Sequence, residues 1–491
     1  MGFAMRAQAA SSTRPLAIGI DLGTSFSRVA VWHDGDVVLI PNEFRKLATP
    51  SVVAFTSTRT LVGDAAVDQA ERNLEHTIFA PQRLIGMRID NPWVKWYERT
   101  WSVNVVPGEG ALSDRPMFKI MDRGVERRLR PEDVVTVLLT HLRKLAESFL
   151  GVLVVDVVIT IPARYGQQQT EALLGCCQGA RLNVLELVKA PTAAGLACSL
   201  TCAYKNSHSV LVIDMGGSYF DFALLTMDEG TITERAIGTD YVDLDNCVVK
   251  LCMEDLAEKL NTQISDRPVA LLRLKRGCEL AKRQLSTQMH SRIEVRGIVA
   301  GMDYVCNLNR MQLDALCRED LAPLLDPIAW CLEDLGLEKS DVQEVVIVGG
   351  SAHIPRVQHL LREFFHGKVL HEVVRPEHAA VLGAAAYASI LAGSGDTSSE
   401  LQHVRLQTVT PWWAVAETTR EKDVCEPDGC GHSDASSEPA EAIPCEQTVN
   451  LLNTTKEWVG LRHATAPSAK AWVRKNQLHG KITVETVVDC V

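Results

Sequence analysis

Two aspartates stand at the ends of apolar runs, each with a glycine two residues on. Asp21 ends Leu-Ala-Ile-Gly-Ile-Asp-Leu at 16–22 and precedes Gly23; Asp214 ends Val-Leu-Val-Ile-Asp at 210–214 and precedes Gly216 and Gly217. An acid at the carboxyl end of a buried strand can hold a magnesium ion, directly or through water, and neighbouring glycines let backbone N–H groups approach phosphate oxygens. One strand–acid–glycine turn is common in α/β folds and says little. Two copies about 190 residues apart say more, because internal repetition marks a duplicated structural unit. Facing each other across a cleft, Asp21 and Asp214 could share one magnesium nucleotide. A third strand–glycine unit, Val-Val-Ile-Val-Gly-Gly-Ser at 345–351, supplies Gly349, Gly350 and Ser351.

The elements that must position these residues are legible nearby. Residues 27–32 and 37–40 alternate around Asp34-Gly35, a hairpin signal. The second acid is likewise followed by an alternating run at 222–227 and a Glu229-Gly230 turn. Residues 131–150 read as a helix: Pro131 suits the first position, Glu132 and Asp133 the first turn, and Gly151 the end. Leu138, Leu142, Leu145 and Phe149 would form its apolar face. A buried strand at 154–161 follows. Strands alternating with helices imply an α/β fold built from a duplicated phosphate-binding lobe.

Composition narrows the function. The chain has 491 residues, 50 Lys+Arg against 61 Asp+Glu and a net charge of −11, which argues against a broad nucleic-acid-binding surface, since phosphate backbones need clustered cations. No apolar run reaches the roughly 18 residues of a membrane-spanning helix; the densest, 152–161, is broken by Asp156. Fourteen scattered cysteines without a CxxC pair, several in apolar helical surroundings (Cys176, Cys177, Cys252, Cys331), point to a reducing compartment. Cys425, Cys430 and His432 lack the fourth ligand and tight spacing of a zinc site. Residues 1–16 read as a disordered tail in preference to a transit peptide, 393–408 as a linker, and 417–446, with nine acids against two bases, as a disordered acidic loop. The 409–491 region recovers alternation at 448–452 and 481–488 and is expected to be short and β-rich.

With these segments in hand, the chain resembles the 70-kDa heat-shock (DnaK-like) chaperone family from about Ile18 to Leu391. The resemblance rests on Gly19-Ile20-Asp21-Leu22-Gly23-Thr24-Ser25, Thr49-Pro50-Ser51-Val52-Val53-Ala54-Phe55, Arg83-Leu84-Ile85-Gly86 and Val158-Ile159-Thr160-Ile161-Pro162-Ala163. It continues through Pro191-Thr192-Ala193-Ala194, Asp214-Met215-Gly216-Gly217 and Val346-Ile347-Val348-Gly349-Gly350-Ser351, all in order. It implies a two-lobed, actin-like ATPase domain with duplicated ribonuclease-H-like lobes over 17–392, binding ATP or ADP with Mg2+. Gly23, Thr24, Ser25 and Phe26 match the family's first phosphate loop, and Gly216, Gly217 and Ser218 the second. Glu279, Lys282, Arg283 and Ser286 match its adenosine-binding helix, which is chemically sensible because these positions share one helix face; without the resemblance they read as a solvated charged face. Gly349, Gly350, Ser351 and His353 match the other wall of the base pocket. The metal would be held by Asp21 and Asp214 through water.

The departures bear on catalysis. Gln82 stands where the family has its catalytic lysine and Ala190 where it has a glutamate. Ser218 and Tyr219 replace a glycine and a threonine, His353 replaces an arginine, and the glycine pair of the later phosphate clamp is missing near Tyr241. No catalytic residue is therefore assigned. Losing one preorganised electrostatic donor typically costs ~10²–10³ in rate, so ATP binding with impaired hydrolysis is expected. Thr170 stands at the family's relay arginine, although Pro162 matches the relay proline. The linker carries Arg405 and Gln407 where the family has leucine or aspartate, so its docking should bury a charge or amide, and no helical lid is expected in the remaining length. The resemblance implies a chaperone or co-chaperone without an ATP-coupled peptide clamp, cytoplasmic in preference to mitochondrial, working with a J-domain co-chaperone or at the ribosome, with unfolded polypeptide as an open question and no membrane or direct nucleic-acid partner. An ordinary ATP-hydrolysing, peptide-binding chaperone and a small-molecule kinase on the same fold are the alternatives.

Overall fold

The computed structural model describes residues 16–201, 206–228, 230–260, 264–299, 301–372, 375–393 and 404–408, with three short segments at 458–462, 470–474 and 486–488. The 1–16 tail (but for Leu16), most of the 393–408 linker, the 417–446 loop, Cys425, Cys430, His432, Glu229, 448–452 and 481–485 lie outside the described residues.

The first unit, residues 1–329 and 339–408, contains two sheets built to one plan. The first has β1 (Ala17–Leu22), β2 (Phe26–His33), β3 (Asp36–Ile40), β4 (Asp156–Ile161) and β5 (Asn183–Lys189) in the order β5-β4-β1-β2-β3. The second has β6 (His208–Met215), β7 (Tyr219–Asp228), β8 (Thr231–Tyr241), β9 (Glu344–Val348), β10 (Leu370–Glu372) and β11 (Arg405–Gln407) in the order β10-β9-β6-β7-β8-β11. In each, the acid-bearing strand runs parallel to one neighbour (β4 or β9) and antiparallel to the strand after its glycine turn (β2 or β7). Ile18 and Ile20 are fully buried, as expected of a strand covered on both faces. The Asp34-Gly35 turn has both residues at positive φ, the geometry a two-residue hairpin demands.

Five helices matter for the site: α1 (Pro92–Trp101), α2 (Pro131–Leu150), α3 (Ala190–Thr201), α4 (Pro268–Thr287) and α5 (Ala379–Leu391). α2 has the bounds the sequence implied, begun by Pro131 and ended by Gly151 at φ 71. Its buried stripe is Val134, Val135, Leu138, Leu139, Leu142 and Ala146; Phe149, expected on that face, is exposed. Eight of the thirteen residues of α5 are Ala, Gly or Ser, and this lets it lie directly on β1: a side chain at Gly19 would run into the backbone of Ala385, and one at Gly383 into the carbonyl of Ala193 on α3. α3 in turn packs on β6 and β7. The two sheets are thus joined by a pair of closely apposed helices.

The linker differs from expectation. Its residues 405–407 form an edge strand parallel to β8, pairing Leu406 with Ile232. Arg405 and Gln407 point outward while Leu406 is half-buried, and Gln407 Oε1 accepts from the Thr233 hydroxyl at 3.2 Å. Edge pairing uses backbone groups, and alternation turns the polar residues to solvent, so no buried charge is incurred.

The second unit, residues 330–338 and 409–491, contains an antiparallel sheet of β12 (Trp458–Arg462), β13 (Lys470–Arg474) and β14 (Thr486–Val488) in sequence order. β14 falls inside the alternating stretch at 481–488. Among the described residues no helix is long and apolar enough to cross a membrane.

Candidate nucleotide site

A cavity of about 870 Å³ opens where the carboxyl ends of the two sheets' central strands meet. Asp21 and Asp214 both line it, each placed by its strand's parallel register: Asp21 lies beside Thr160 and Asp214 beside Val348. The Thr160 hydroxyl donates to Asp21 Oδ1 at 2.8 Å. Burial pushes the Asp214 carboxyl up to about 8, helped by Asp221 and Asp21 and opposed by Arg28.

The glycine turns follow the strands into the cavity. Gly23, Thr24, Ser25, Phe26, Gly216 and Gly217 line it, and the turns approach each other where Ser25 Oγ meets Gly217. Ser218 does not line it; that residue is buried and its carbonyl accepts from Val242. Gly349 sits at φ +86, and a side chain there would strike the Asp214 carboxylate and the Met215 carbonyl, so only glycine lets this turn pass behind the acid. Ser351 Oγ donates to the Gly216 carbonyl at 2.9 Å, tying the third glycine unit to the second. Gly350 and His353 also line the cavity, and His353 Nε2 lies 3.2 Å from Glu377.

α4 supplies the remaining wall. Glu279, Lys282, Arg283 and Ser286 all face the cavity. Lys282 is held by Asp245 at 2.7 Å. Arg283 pairs with Glu279 at 2.9 Å, and its guanidinium lies 5.2 Å from the Phe26 ring. Arg283 is exposed while Glu279, Lys282 and Ser286 are half-buried, so this face is partly solvated and partly turned to the cavity.

The departures are also in place. Gln82 is buried; its Nε2 donates to the Gly23 carbonyl at 2.5 Å, while its Oε1 has no hydrogen-bond partner. It braces the first turn and brings no charge. Ala190, at the start of α3, contributes only a methyl group. Asp221 is buried and fully engaged, accepting from the Ala163 N–H at 2.9 Å and the Thr239 hydroxyl at 2.5 Å. Lys189 donates to the Tyr165 carbonyl at 3.2 Å, and burial lowers its pKa.

The packing of several residues escaped the sequence reading. Tyr219 is one face of a cluster joining the two halves of the unit: Arg83 lies 4.9 Å from the Trp96 ring and 5.8 Å from both Tyr219 and Tyr241, and Arg164 lies 5.4 Å from Trp93 and 5.3 Å from Tyr219. Trp93 and Tyr241 have ring centroids 4.8 Å apart. Tyr241, where the phosphate-clamp glycines were expected, is thus packed on α1. Arg28 is the other omission. It is the cross-strand partner of Asp21, so counting back through the hairpin would have found it.

Paired sheets joined by helices, with a phosphate-type cavity at the strand ends, define a two-lobed, actin-like ATPase fold. The family model described as Hsp70 protein matches residues 17–426, and the chain belongs to the Hsp70 family. It is 36% identical over 407 residues to heat shock 70 kDa protein 2 of Paracoccidioides lutzii, covering 82% of this chain and 61% of that protein. It is 32% identical over 472 residues to heat shock cognate 70 kDa protein 3 of Dictyostelium discoideum, covering 95% and 72%. To a ribosome-associated molecular chaperone of Nakaseomyces delphensis it is 36% identical over 400 residues, covering 80% and 64%. The chain thus spans about three fifths of the length of the first of these relatives.

Proposed function

We propose that this protein is an adenine-nucleotide-binding chaperone or co-chaperone that hydrolyses ATP weakly. The observation that carries the reading is the convergence of both strand-end acids, both glycine turns and all four α4 residues on one cavity. A pyrophosphate suits the turns, and an acid with a guanidinium on the α4 face suits ribose hydroxyls and a base. Two carboxylates on one cavity wall also fit a hydrated magnesium ion held through water by Asp21 and Asp214, which would supply charge neutralisation to bound phosphates. Weak hydrolysis follows from Gln82, which is uncharged and turned onto Gly23, from the methyl of Ala190, and from Tyr219 engaged by two arginines.

Uncoupling from a peptide clamp is supported by Thr170, whose hydroxyl is used on the Gly166 carbonyl one turn back. The linker's polarity no longer supports it, since β11 docks without burying Arg405. Work at the ribosome is supported by the name of the ribosome-associated relative; work in the cytoplasm beside a J-domain protein, with unfolded polypeptide as a candidate client, belongs to the same proposal. The domain division at 17–392, 393–408 and 409–491 belongs to the same proposal. Membership of the Hsp70 family leaves the small-molecule kinase without an observation in its favour.

The test is thermal unfolding of the full chain with millimolar ATP. The midpoint is expected to rise, and Arg283→Ala is expected to diminish the rise. No nucleotide-dependent shift at millimolar ATP would sink the reading.

A further inference from the structure

The duplicated sheets differ at one equivalent position. In the second sheet the residue paired across the hairpin from the strand-end acid is another acid, Asp221 opposite Asp214. In the first it is a cation, Arg28 opposite Asp21. Directly opposed residues of an antiparallel pair project from the same face, and both Asp21 and Arg28 line the cavity.

Arg28 is poorly satisfied where it sits. Its side chain is 14% exposed, its nearest acid contact is Nη1 to Asp21 Oδ2 at a long 3.4 Å, and its buried Nε has no hydrogen-bond partner. A guanidinium carries five N–H donors in a rigid fork that matches phosphate oxygens, and here Nη1 makes only a long bond to Asp21. The nearby turn around Gly23 is where phosphate oxygens would lie, and the side chains that donate to the Gly23 carbonyl, Gln82 and Ser51, are both neutral. Arg28 is thus the fixed cation beside the strand-end acid.

We propose that Arg28 supplies, as a permanent part of the fold, the positive charge that a divalent ion would otherwise bring to the phosphates, so that the cavity binds adenine nucleotide without requiring a metal. The inference rests on the nucleotide-binding reading above. Magnesium still fits the acids, but much of the charge it would bring to the phosphates is already in place in Arg28. A guanidinium cannot lose its proton in the working pH range, so this counter-charge is constant.

The test is calorimetric titration of the full chain with ADP, once in magnesium chloride and once in EDTA. Wild-type affinities in the two buffers are expected to agree within about threefold. Arg28→Gln is expected to lose about tenfold or more in EDTA and to regain most of it in magnesium, whereas Arg28→Lys keeps metal-free binding in weakened form. Thermal unfolding without nucleotide checks that the variants fold, and the two-buffer comparison of the wild type needs no variant. Wild-type binding that appears only with magnesium overturns the proposal and leaves the nucleotide reading standing. Unchanged metal-free affinity in a folded Arg28→Gln also overturns it, by showing that Arg28 merely neutralises Asp21. Absence of ADP binding in both buffers overturns both readings.

Discussion

Gln82 Nε2 donates to the Gly23 carbonyl, so the side chain at the family's lysine position is engaged in holding the first phosphate turn. That contact separates two properties that usually travel together. A braced turn preserves a place for phosphate, while a neutral amide aimed at the turn gives no charge to a transition state.

Restoring the lysine should raise turnover only in part. Gln82→Lys is predicted to increase single-turnover ATP hydrolysis by about tenfold, short of the ~10²–10³ that one preorganised donor can supply, because Ala190 and Tyr219 remain. Adding Ala190→Glu should raise it again. A double variant no faster than wild type would show that the obstacle lies elsewhere.

The aromatic cluster should contribute to stability. Trp93→Ala removes contacts to Tyr241, Trp96 and the Arg164 guanidinium, and a half-buried aromatic with such partners is worth about 1–3 kcal/mol. In a unit of this size the unfolding midpoint should fall by roughly 1–4 °C. An unchanged midpoint would mean that the cluster is incidental.

Lys275 makes a pH-dependent prediction. Its ammonium donates to the Thr100 carbonyl at 2.5 Å beside the Trp101 ring, and burial lowers its pKa to about 8. A lysine that loses its proton more easily when folded costs stability while it is charged, and the cost is relieved as pH rises from the folded pKa toward the unfolded value near 10.5. Lys275→Met should therefore stabilise the protein at pH 7 by about 1 kcal/mol, after allowing for the lost hydrogen bond, and by less at pH 10. Chemical denaturation at the two pH values checks the sign; a larger gain at pH 10 would contradict it.

Much of the scaffold was legible because it rests on local patterns. Apolar runs ending in Asp21 and Asp214, the Asp34-Gly35 turn and the Pro131-to-Gly151 helix each carry their own signal, and repetition of the acid–glycine unit announced the duplicated lobes. Contacts between distant segments left no such trace. Trp93, Tyr219 and Tyr241 come from three separate elements, so nothing in any one segment foretold their packing around Arg83 and Arg164. The linker was misread for a different reason: composition showed that Arg405 and Gln407 are polar, but only strand alternation tells that an edge strand turns them outward. Arg28 lay between these cases, since its register with Asp21 follows from the hairpin, yet its meaning depends on the cavity beneath.

The central claim is that this member of the Hsp70 family retains nucleotide binding and has lost most of its chemistry. Calorimetric titration with ATP, paired with single-turnover hydrolysis beside an ordinary family member under the same conditions, tests both halves together. The account predicts saturable binding to one site, with hydrolysis slower by about a hundredfold or more. Hydrolysis at the ordinary rate, or no detectable binding at millimolar ATP, would contradict it.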